Sequence, residues 1–207
     1  MPRGGTLTAV RRKHAPSGSK AETVYAIGHS TRSIGAFLSI LRAHSIDVLV
    51  DIRTIPKSRH NPQFNSDSLK TSLGEAGIGY THLRELGGLR RPLSDSPNMG
   101  WRNESFRGFA DYMSTEGFAK GLDELVRLGE RRNVAIMCAE GNPYRCHRSL
   151  VADALTAGGV RAIHISSRKP GRLHTLTPFA KVKGPKVTYP EDREGVKARK
   201  ASARKRD

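Results

Sequence analysis

Residues 138–148, Cys-Ala-Glu-Gly-Asn-Pro-Tyr-Arg-Cys-His-Arg, form the stretch of this chain whose side chains point most directly to chemistry. It holds both cysteines of the protein, one carboxylate, one histidine and two arginines. A thiolate beside a helix N-terminus and guanidinium groups has a lowered pKa and is a good nucleophile, which makes Cys138 the first candidate for catalysis. The alternative is that Cys138 is a small buried side chain that ends a strand.

The segments on either side predict where this stretch lies. The apolar run 133–137 is typical of a buried strand, and the pattern of 149–155 is typical of an amphipathic helix. Open α/β sheets bind ligands where a strand ends in a loop that starts a helix. The backbone N–H groups of the helix start, together with Arg145 and Arg148, favour an anion there.

Strand and helix patterns alternate along the middle of the chain. Strands are predicted at 23–27, 46–52, 79–83, 133–138 and 160–165, and helices at 34–44, 65–77, 106–113, 118–131 and 148–157. A long polar loop is expected at 84–104, and an irregular stretch at 178–189 that ends in a short strand, 186–189. The aromatic residues 106, 109 and 112 lie near Arg102 and Arg107 and could stack single-stranded bases, but their spacing favours a helix face that enters the core. This alternation predicts an α/β fold: an open, mostly parallel sheet flanked by helices on both faces.

In such a sheet the residues that follow each strand gather at one rim, where we place the predicted site. The candidates for catalysis are titratable: His29, Asp51, Cys138 and Glu140. Asp51 or Glu140 would act as a general base and His29 as an acid or base. The candidates for binding an anion are hydroxyl or cationic side chains: Ser30, Thr31, Arg53, Arg59, Tyr80, Arg145 and Arg148. In the alternative interpretation Asp51 and Arg53 pair to fix the loops, and His29 is only a hydrogen-bonding residue.

Two sharper interpretations of the cysteines meet difficulties of spacing. Cysteine phosphatases use a loop with five residues between Cys and Arg, whereas six separate Cys138 from Arg145. Cys138, Cys146 and His147, with Glu140, could bind a metal such as zinc, but Cys-x7-Cys-His is not a common zinc spacing. We therefore predict no metal site and keep Cys138, Cys146 and His147 as the weaker alternative.

The composition limits the class of protein and of partner. The formal net charge is +17. The presumptive domain, 23–190, carries 24 basic and 14 acidic residues, a net +10, and a basic arm (1–22) and a basic tail (191–207) carry the rest. A basic domain favours an anionic partner, nucleotide or nucleic acid among them. No apolar run is long enough to cross a membrane, and no secretory signal is recognisable, so we expect a cytoplasmic protein without a membrane partner.

Several motifs in order resemble one known family. Gly28-His-Ser-Thr31, Asp51-Ile-Arg-Thr-Ile-Pro-Lys-Ser-Arg59, Leu86-Gly-Gly88 and the 138–148 stretch are similar to the hallmark motifs of the Domain of Unknown Function 488 family. His174-Thr-Leu-Thr-Pro178 and Tyr189-Pro190 are similar to its C-terminal segment. The resemblance covers about 23–190 and implies a Rossmann-like α/β protein of the cytosol. It implies no reaction.

The sequence thus predicts an enzyme that acts on a phosphate-bearing ligand, a nucleotide or nucleic acid, at the rim of the sheet. The alternatives are a non-catalytic module that binds nucleic acid or protein, and a metal or redox site built on the thiols. Neither a cofactor nor an oligomeric state follows from the sequence.

Overall fold

The computed structural model describes residues 22–191. The basic arm and the basic tail expected from the sequence lie outside the described residues, apart from Glu22 and Glu191 at their boundaries. Within this described range, no helix has the length and apolar character needed to cross a membrane.

Six strands form the main sheet, in the order β3-β2-β4-β1-β5-β6. Strands β1 to β5 are parallel and β6 is antiparallel to β5. The bounds are β1 Thr23–Gly28, β2 Val48–Asp51, β3 Gly79–His82, β4 Val134–Cys138, β5 Arg161–His164 and β6 Arg172–Leu173. The predicted Rossmann-like α/β fold with a mostly parallel sheet is therefore confirmed, and each of the five predicted parallel strands is present.

Five α-helices cover the two faces of the sheet: α1 Ile34–Ala43, α2 Ser66–Glu75, α3 Glu104–Tyr112, α4 Glu116–Arg131 and α5 Arg148–Ala157. One apolar core joins α1 and α2 to the sheet through Phe37, Leu41, Leu69 and Leu73. The core on the other face contains Phe109, Leu125, Leu150 and Leu155 from α3, α4 and α5. Because strands covered on both faces carry apolar residues on both, β2 and β4 are buried along their whole length.

Side-chain caps fix where several helices begin. Ser33 accepts a hydrogen bond from the N–H of Ala36 and so caps α1. Asn103 caps α3 in the same way, and Thr115 caps α4 through the N–H of Phe118. Each cap supplies a partner for an N–H group that the helix itself leaves without one.

The C-terminal part differs from its prediction. Residues 178–189 contain a small antiparallel hairpin, β7 Lys181–Lys183 and β8 Lys186–Thr188, where the sequence indicated an irregular stretch with one strand. The hairpin turns at Gly184, whose φ of +58° favours glycine. Strand β6 was also not predicted. Strands β6 and β7, of two and three residues, are too short to show a period of two, so the sequence pattern did not reveal them.

The order of strands marks one position at the sheet rim. Neighbouring strands β1 and β4 are followed by α1 and α5, which lie on opposite faces of the sheet. The two loops that leave these strands consequently diverge and open a crevice at the carboxyl ends of β1 and β4. Ligands of open α/β sheets bind at such a position.

Candidate functional site

A pocket of about 440 Å³ opens at this crevice. Its walls come from the loops after β1, β2 and β4, from Gly88 and Leu89 of the long loop, and from the start of α3. Cationic side chains on the walls are Arg53, Lys57 and Arg145, against one carboxylate, Glu140. The pocket is thus formed by the strand ends that the sequence singles out, and its charged lining favours an anion.

The loops after β1 and β4 are joined along the crevice. The N–H of His29 donates to the carbonyl of Cys138 (3.0 Å), and the N–H of Ser30 donates to that of Ala139 (2.9 Å). Gly28 permits this approach, because a Cβ at that position would collide with the backbone carbonyl of Glu140. Ser30 adopts a φ of +51°, which is uncommon for a residue other than glycine. The Gly-His-Ser motif therefore shapes the floor of the pocket.

Arg148 lies directly behind this floor and is 1% exposed. Its Nη2 donates to the carbonyl of Gly141 at 3.4 Å. Its Nε and Nη1 are buried and have no hydrogen-bond partner within residues 22–191. A buried guanidinium without a carboxylate is costly, and an anion nearby would lower that cost.

The two thiols lie beside this cation. Both are free and buried, and Cys138 lines the pocket with Cys146. Burial alone raises the pKa of Cys138, but the hydrogen bond from Cys146, the charge of Arg148 and a backbone hydrogen bond at Glu140 outweigh it, so that this pKa is lowered. The hydrogen bond to Cys138, and then burial, raise the pKa of Cys146. Cys138 is therefore the thiol that ionises first, and Cys146 the one that keeps its proton.

His147 ties residues 138–148, which we call the thiol loop, to the end of strand β2 and is half-buried. Its Nε2 donates to the carbonyl of Ile52 at 3.1 Å, so its Nδ1 carries the lone pair and lies 3.6 Å from the sulfur of Cys146. Burial lowers the pKa of His147 to about 4. A Cβ on Gly88 would overlap this imidazole, which explains the close approach of the Leu-Gly-Gly motif to the site.

Asp51 and Arg53 form a buried ion pair. The carboxylate accepts from Nε and Nη2 of Arg53, from the N–H of residue 53 and from the hydroxyl of Tyr80 (3.0 Å). Nη2 of Arg53 also donates to the carbonyl of Phe64. Burial, and then the charge of Asp51, raise the pKa of Tyr80. Asp51 thus holds Arg53 at the pocket wall, as in the structural alternative that the sequence left open.

His29 is buried and stacks on Phe64, with ring centroids 4.3 Å apart. Its Nδ1 donates to the carbonyl of Ser30 at 2.7 Å, which leaves the lone pair on Nε2, 3.5 Å from Nη1 of Arg53. Burial lowers the pKa of His29. The neutral ring therefore presents an acceptor next to the pocket.

The structure brings some of the predicted residues to the pocket and leaves others away from it. The predicted residues on the pocket wall are His29, Arg53, Cys138, Glu140 and Arg145, with Cys146 and His147 from the metal alternative. Arg148 and Asp51 lie behind it, and Tyr80 contacts Asp51. Ser30, Thr31 and Arg59 are not among the lining residues, and the last two are exposed.

Sequence reasoning missed several residues of the site. Thr54, Lys57 and Ser58 follow β2, in a loop from which only Arg53 and Arg59 were selected. Ser105 and Phe106 reach the pocket from the start of α3, although the spacing of the aromatic residues favours the core for Phe106. The position of Lys57 after a strand is a sequence feature that could have identified it as a site residue. No sequence feature indicates that α3 approaches the pocket, because this approach depends on the path of the long loop.

A second buried polar cluster was also missed. The carboxylate of Asp153 on α5 accepts from Nε2 of His174, from the N–H and hydroxyl of Thr177 and from the hydroxyl of Tyr189. Nδ1 of His174 accepts from Nε2 of His164, the last residue of β5. The His-Thr-Leu-Thr-Pro and Tyr-Pro motifs therefore attach the C-terminal segment to α5.

Among residues 22–191, no group of three or more His, Cys, Asp or Glu side chains is arranged to hold a metal ion. Nε2 of His147 is already bonded to the carbonyl of Ile52.

The chain was compared with known proteins. A family model described as Domain of unknown function DUF488 matches residues 33–155. This range contains α1 to α4, the thiol loop and most of α5. No curated protein and no solved structure matches the chain.

Proposed function

Because the chain belongs to the family described as Domain of unknown function DUF488, whose description gives no reaction, we propose a function from the pocket itself. The protein is an enzyme that uses the thiolate of Cys138 as a nucleophile toward a phosphate-bearing ligand with a nucleotide unit. The proposal agrees with the residues at the rim and with the basic charge of the domain.

One observation carries the proposal: a pocket-lining thiol lies beside a buried guanidinium without a carboxylate partner. Two nitrogens of Arg148 are without hydrogen bonds among the described residues, whereas the Arg53 guanidinium is paired with Asp51. A thiolate at Cys138 would supply the counter-charge. The Cys146 thiol then donates a hydrogen bond to that thiolate, which explains why the pKa values of the two cysteines shift in opposite directions.

The cationic wall supports an anionic substrate. Arg53 is fixed by Asp51 and the carbonyl of Phe64, so its guanidinium is held in place at the pocket wall, and Lys57 and Arg145 add two exposed positive charges. Guanidinium groups bind phosphate oxygens through paired hydrogen bonds, and they stabilise the charge that a phosphoryl group carries as it is transferred.

The proposed reaction proceeds in two steps. The Cys138 thiolate attacks phosphorus, an S–P bond forms and a P–O bond of the ester breaks, and the departing oxygen takes a proton from solvent. Water then attacks the phosphocysteine, Glu140 accepts the proton of this water, and the thiolate leaves with the electron pair of the S–P bond. Cys146 remains protonated throughout and holds the sulfur in place.

The second candidate is a non-catalytic module that binds the same anion. The observation that favours it is the burial of Cys138, which is 1% exposed and belongs to the apolar core with Cys146. In that case the thiol only completes β4, and Arg53, Lys57 and Arg145 provide the binding.

Alkylation distinguishes the two candidates. With iodoacetamide, Cys138 is expected to react well below pH 8.5, the approximate pKa of a free thiol, and Cys146 to react only after unfolding. Inorganic phosphate or thymidine 5′-monophosphate should slow the alkylation of Cys138. Peptide mass spectrometry assigns the modified cysteine.

The variant Arg148→Met keeps the volume of the side chain and removes the charge. It is expected to shift the alkylation profile of Cys138 to higher pH, because one of the groups that lower this pKa is lost. If Cys138 reacts only above pH 8.5 or only in the unfolded chain, the nucleophile is excluded. If phosphate and nucleotide give no protection, the anion pocket is excluded.

A further inference from the structure

The loops on the two ends of the sheet differ strongly in charge. The loops that leave the five parallel strands are 29–33, 52–61, 83–103, 139–147 and 165–171, and they carry eleven Lys or Arg and three Asp or Glu. The connections that enter strands are 44–47, 76–78, 132–133 and 158–160, and they carry one basic and one acidic residue. The positive charge of the domain is therefore concentrated at the carboxyl end of the sheet.

This charge extends well beyond the pocket. A row of exposed cations, which we call the cationic rim, follows β2, β4 and β5 and continues into β6: Lys57, Arg59, Arg145, Arg168, Lys169 and Arg172. In the strand order β2-β4-β1-β5-β6, four inter-strand steps of about 4.8 Å separate the first loop from the last strand, a span of about 19 Å. One nucleotide bound in the pocket does not reach across this span.

We propose that the cationic rim binds a single-stranded nucleic acid, one nucleotide of which occupies the pocket. The inference rests on the function proposed above and assigns its substrate to polymers rather than free nucleotides. Phosphates of one strand follow each other at about 3.4 Å along a duplex axis and further apart in an extended strand, so several of them span the rim. Their charge is complementary to the rim along its whole length.

The shape of the pocket favours a single strand over a duplex. Cys138 is 1% exposed and lines the pocket, so the phosphate that it attacks has to enter a recess, which a flexible single strand allows more readily than a stiff duplex. Two apolar side chains on the pocket wall, Ile55 and Leu89, are 60% and 68% exposed. They offer surface on which an unstacked base can lie.

Two matched triple variants of the full chain test the inference. The rim variant is Arg168→Gln, Lys169→Gln and Arg172→Gln, which removes three cations remote from the pocket lining. The control variant is Arg131→Gln, Arg132→Gln and Arg161→Gln, which removes three exposed cations at the opposite end of the sheet. The basic segments outside residues 22–191 are present in all three proteins, so their contribution cancels.

Fluorescence anisotropy with labelled oligothymidylates of two, four, eight and twelve nucleotides, at about 50 to 200 mM salt, measures the effect. Affinity should rise with length up to several nucleotides. The rim variant should bind the eight-nucleotide probe about tenfold more weakly, a loss of about 1.4 kcal/mol, because three phosphate contacts are removed. The slope of log affinity against log salt should fall by up to about two, at roughly 0.7 per phosphate contact. The control variant should bind like the original protein.

Equal weakening by both triple variants, or affinity that does not depend on length, overturns the inference. The inference is also overturned if the rim variant binds the oligothymidylates as tightly as the original protein does. The proposed function is judged separately, by the protection of Cys138 from iodoacetamide by thymidine 5′-monophosphate, which needs only the pocket. If thymidine 5′-monophosphate protects Cys138 in the rim variant while the oligothymidylate measurements give an overturning result, the proposed function stands. The assignment of its substrate to a polymer is then rejected. Circular dichroism verifies that each variant is folded. If the triple rim variant does not fold, the single variant Lys169→Gln replaces it in the binding measurements.

Discussion

At the scale of single residues, the site contains two arginines in opposite situations. Arg53 is bonded to Asp51 through three of its N–H donors and lies on the pocket wall. Arg148 is more deeply buried and has two nitrogens without partners in the described part of the chain. The first is a positioned binding group, and the second is an electrostatic support for the thiols beside it.

The difference predicts a large effect of Asp51→Asn on stability. The neutral amide keeps the shape of the carboxylate but leaves a buried guanidinium uncompensated, which costs roughly 3–5 kcal/mol. The matched variant Tyr80→Phe removes only the hydrogen bond from the Tyr80 hydroxyl and is expected to cost about 1 kcal/mol. Urea unfolding measures both free energies. Equal losses would contradict the assignment of Asp51 as the counter-ion of Arg53.

At the scale of single residues, the sequence indicated which side chains gather at the pocket better than it indicated what each of them does there. Cys138, Glu140, Arg53 and Arg145 were selected because they follow strands, and the structure places all four on one pocket. The spacing of Asp51 and Arg53 allowed both a catalytic and a structural interpretation. Only the side-chain directions show that Asp51 is engaged by Arg53 and Tyr80 and lies behind the wall.

At the scale of elements, helix α5 connects the two buried polar clusters of the molecule. Its first residue, Arg148, lies under the thiol loop, and Asp153 lies five residues further along and holds the C-terminal segment. The long-range partners of Asp153 come from 21 to 36 residues away in the chain. Such contacts leave no periodic pattern, and this explains why the sequence indicated the strands and helices but neither this cluster nor the hairpin β7–β8.

The Asp153→Asn variant is expected to release this segment. The amide nitrogen that replaces one carboxylate oxygen cannot accept hydrogen bonds from His174, Thr177 or Tyr189, so at least one buried donor loses its partner, at about 1–3 kcal/mol for each. Limited proteolysis should then cut between residues 172 and 190 faster than in the original protein. Tyr189→Phe removes a single bond and serves as the milder control. Unchanged cleavage in Asp153→Asn would show that apolar contacts alone hold the segment.

Stability as a function of pH is a property of the whole molecule, and His147 and His164 contribute to its decrease on the acid side. Burial lowers the pKa values of His147 and His164 to about 4, below the 6.5 of the unfolded chain. The unfolded state then binds more protons between these values, so the free energy of unfolding is highest above pH 6.5 and decreases as the pH falls toward 4. Urea unfolding at pH 7, 5.5 and 4.5 measures this decrease.

His147→Gln and His164→Gln should each make the dependence on pH shallower, since each removes one of the buried groups that must take up a proton. His60 is exposed and provides the control, because His60→Gln should leave the slope as it is. A slope that is the same in all four proteins would contradict a contribution of these two half-buried rings to the acid limb.

The charge of the whole chain gives a further prediction about binding. Removal of 1–22 and 191–207 takes away twelve basic and five acidic residues and reduces the net charge from +17 to +10. Affinity for single-stranded DNA should fall and its salt dependence should flatten, because fewer counterions are released. The trimmed protein should retain some affinity for single-stranded DNA, and Arg53→Ala should lower that remaining affinity. A trimmed protein that is folded but binds nothing at about 50 mM salt would exclude nucleic acid as the ligand of the domain.

The position of β4 has a consequence for how the chain is made. Strand β1 comes first in the sequence, but both of its neighbours in the sheet, β4 and β5, begin only after residue 133. During synthesis on the ribosome, β2 can pair with β3 as soon as both have been made. Strand β1 has no partner on either side until the second half of the domain has been synthesised. The first half of the domain therefore cannot complete its sheet alone, and the pocket between β1 and β4 is among the last features to form during synthesis.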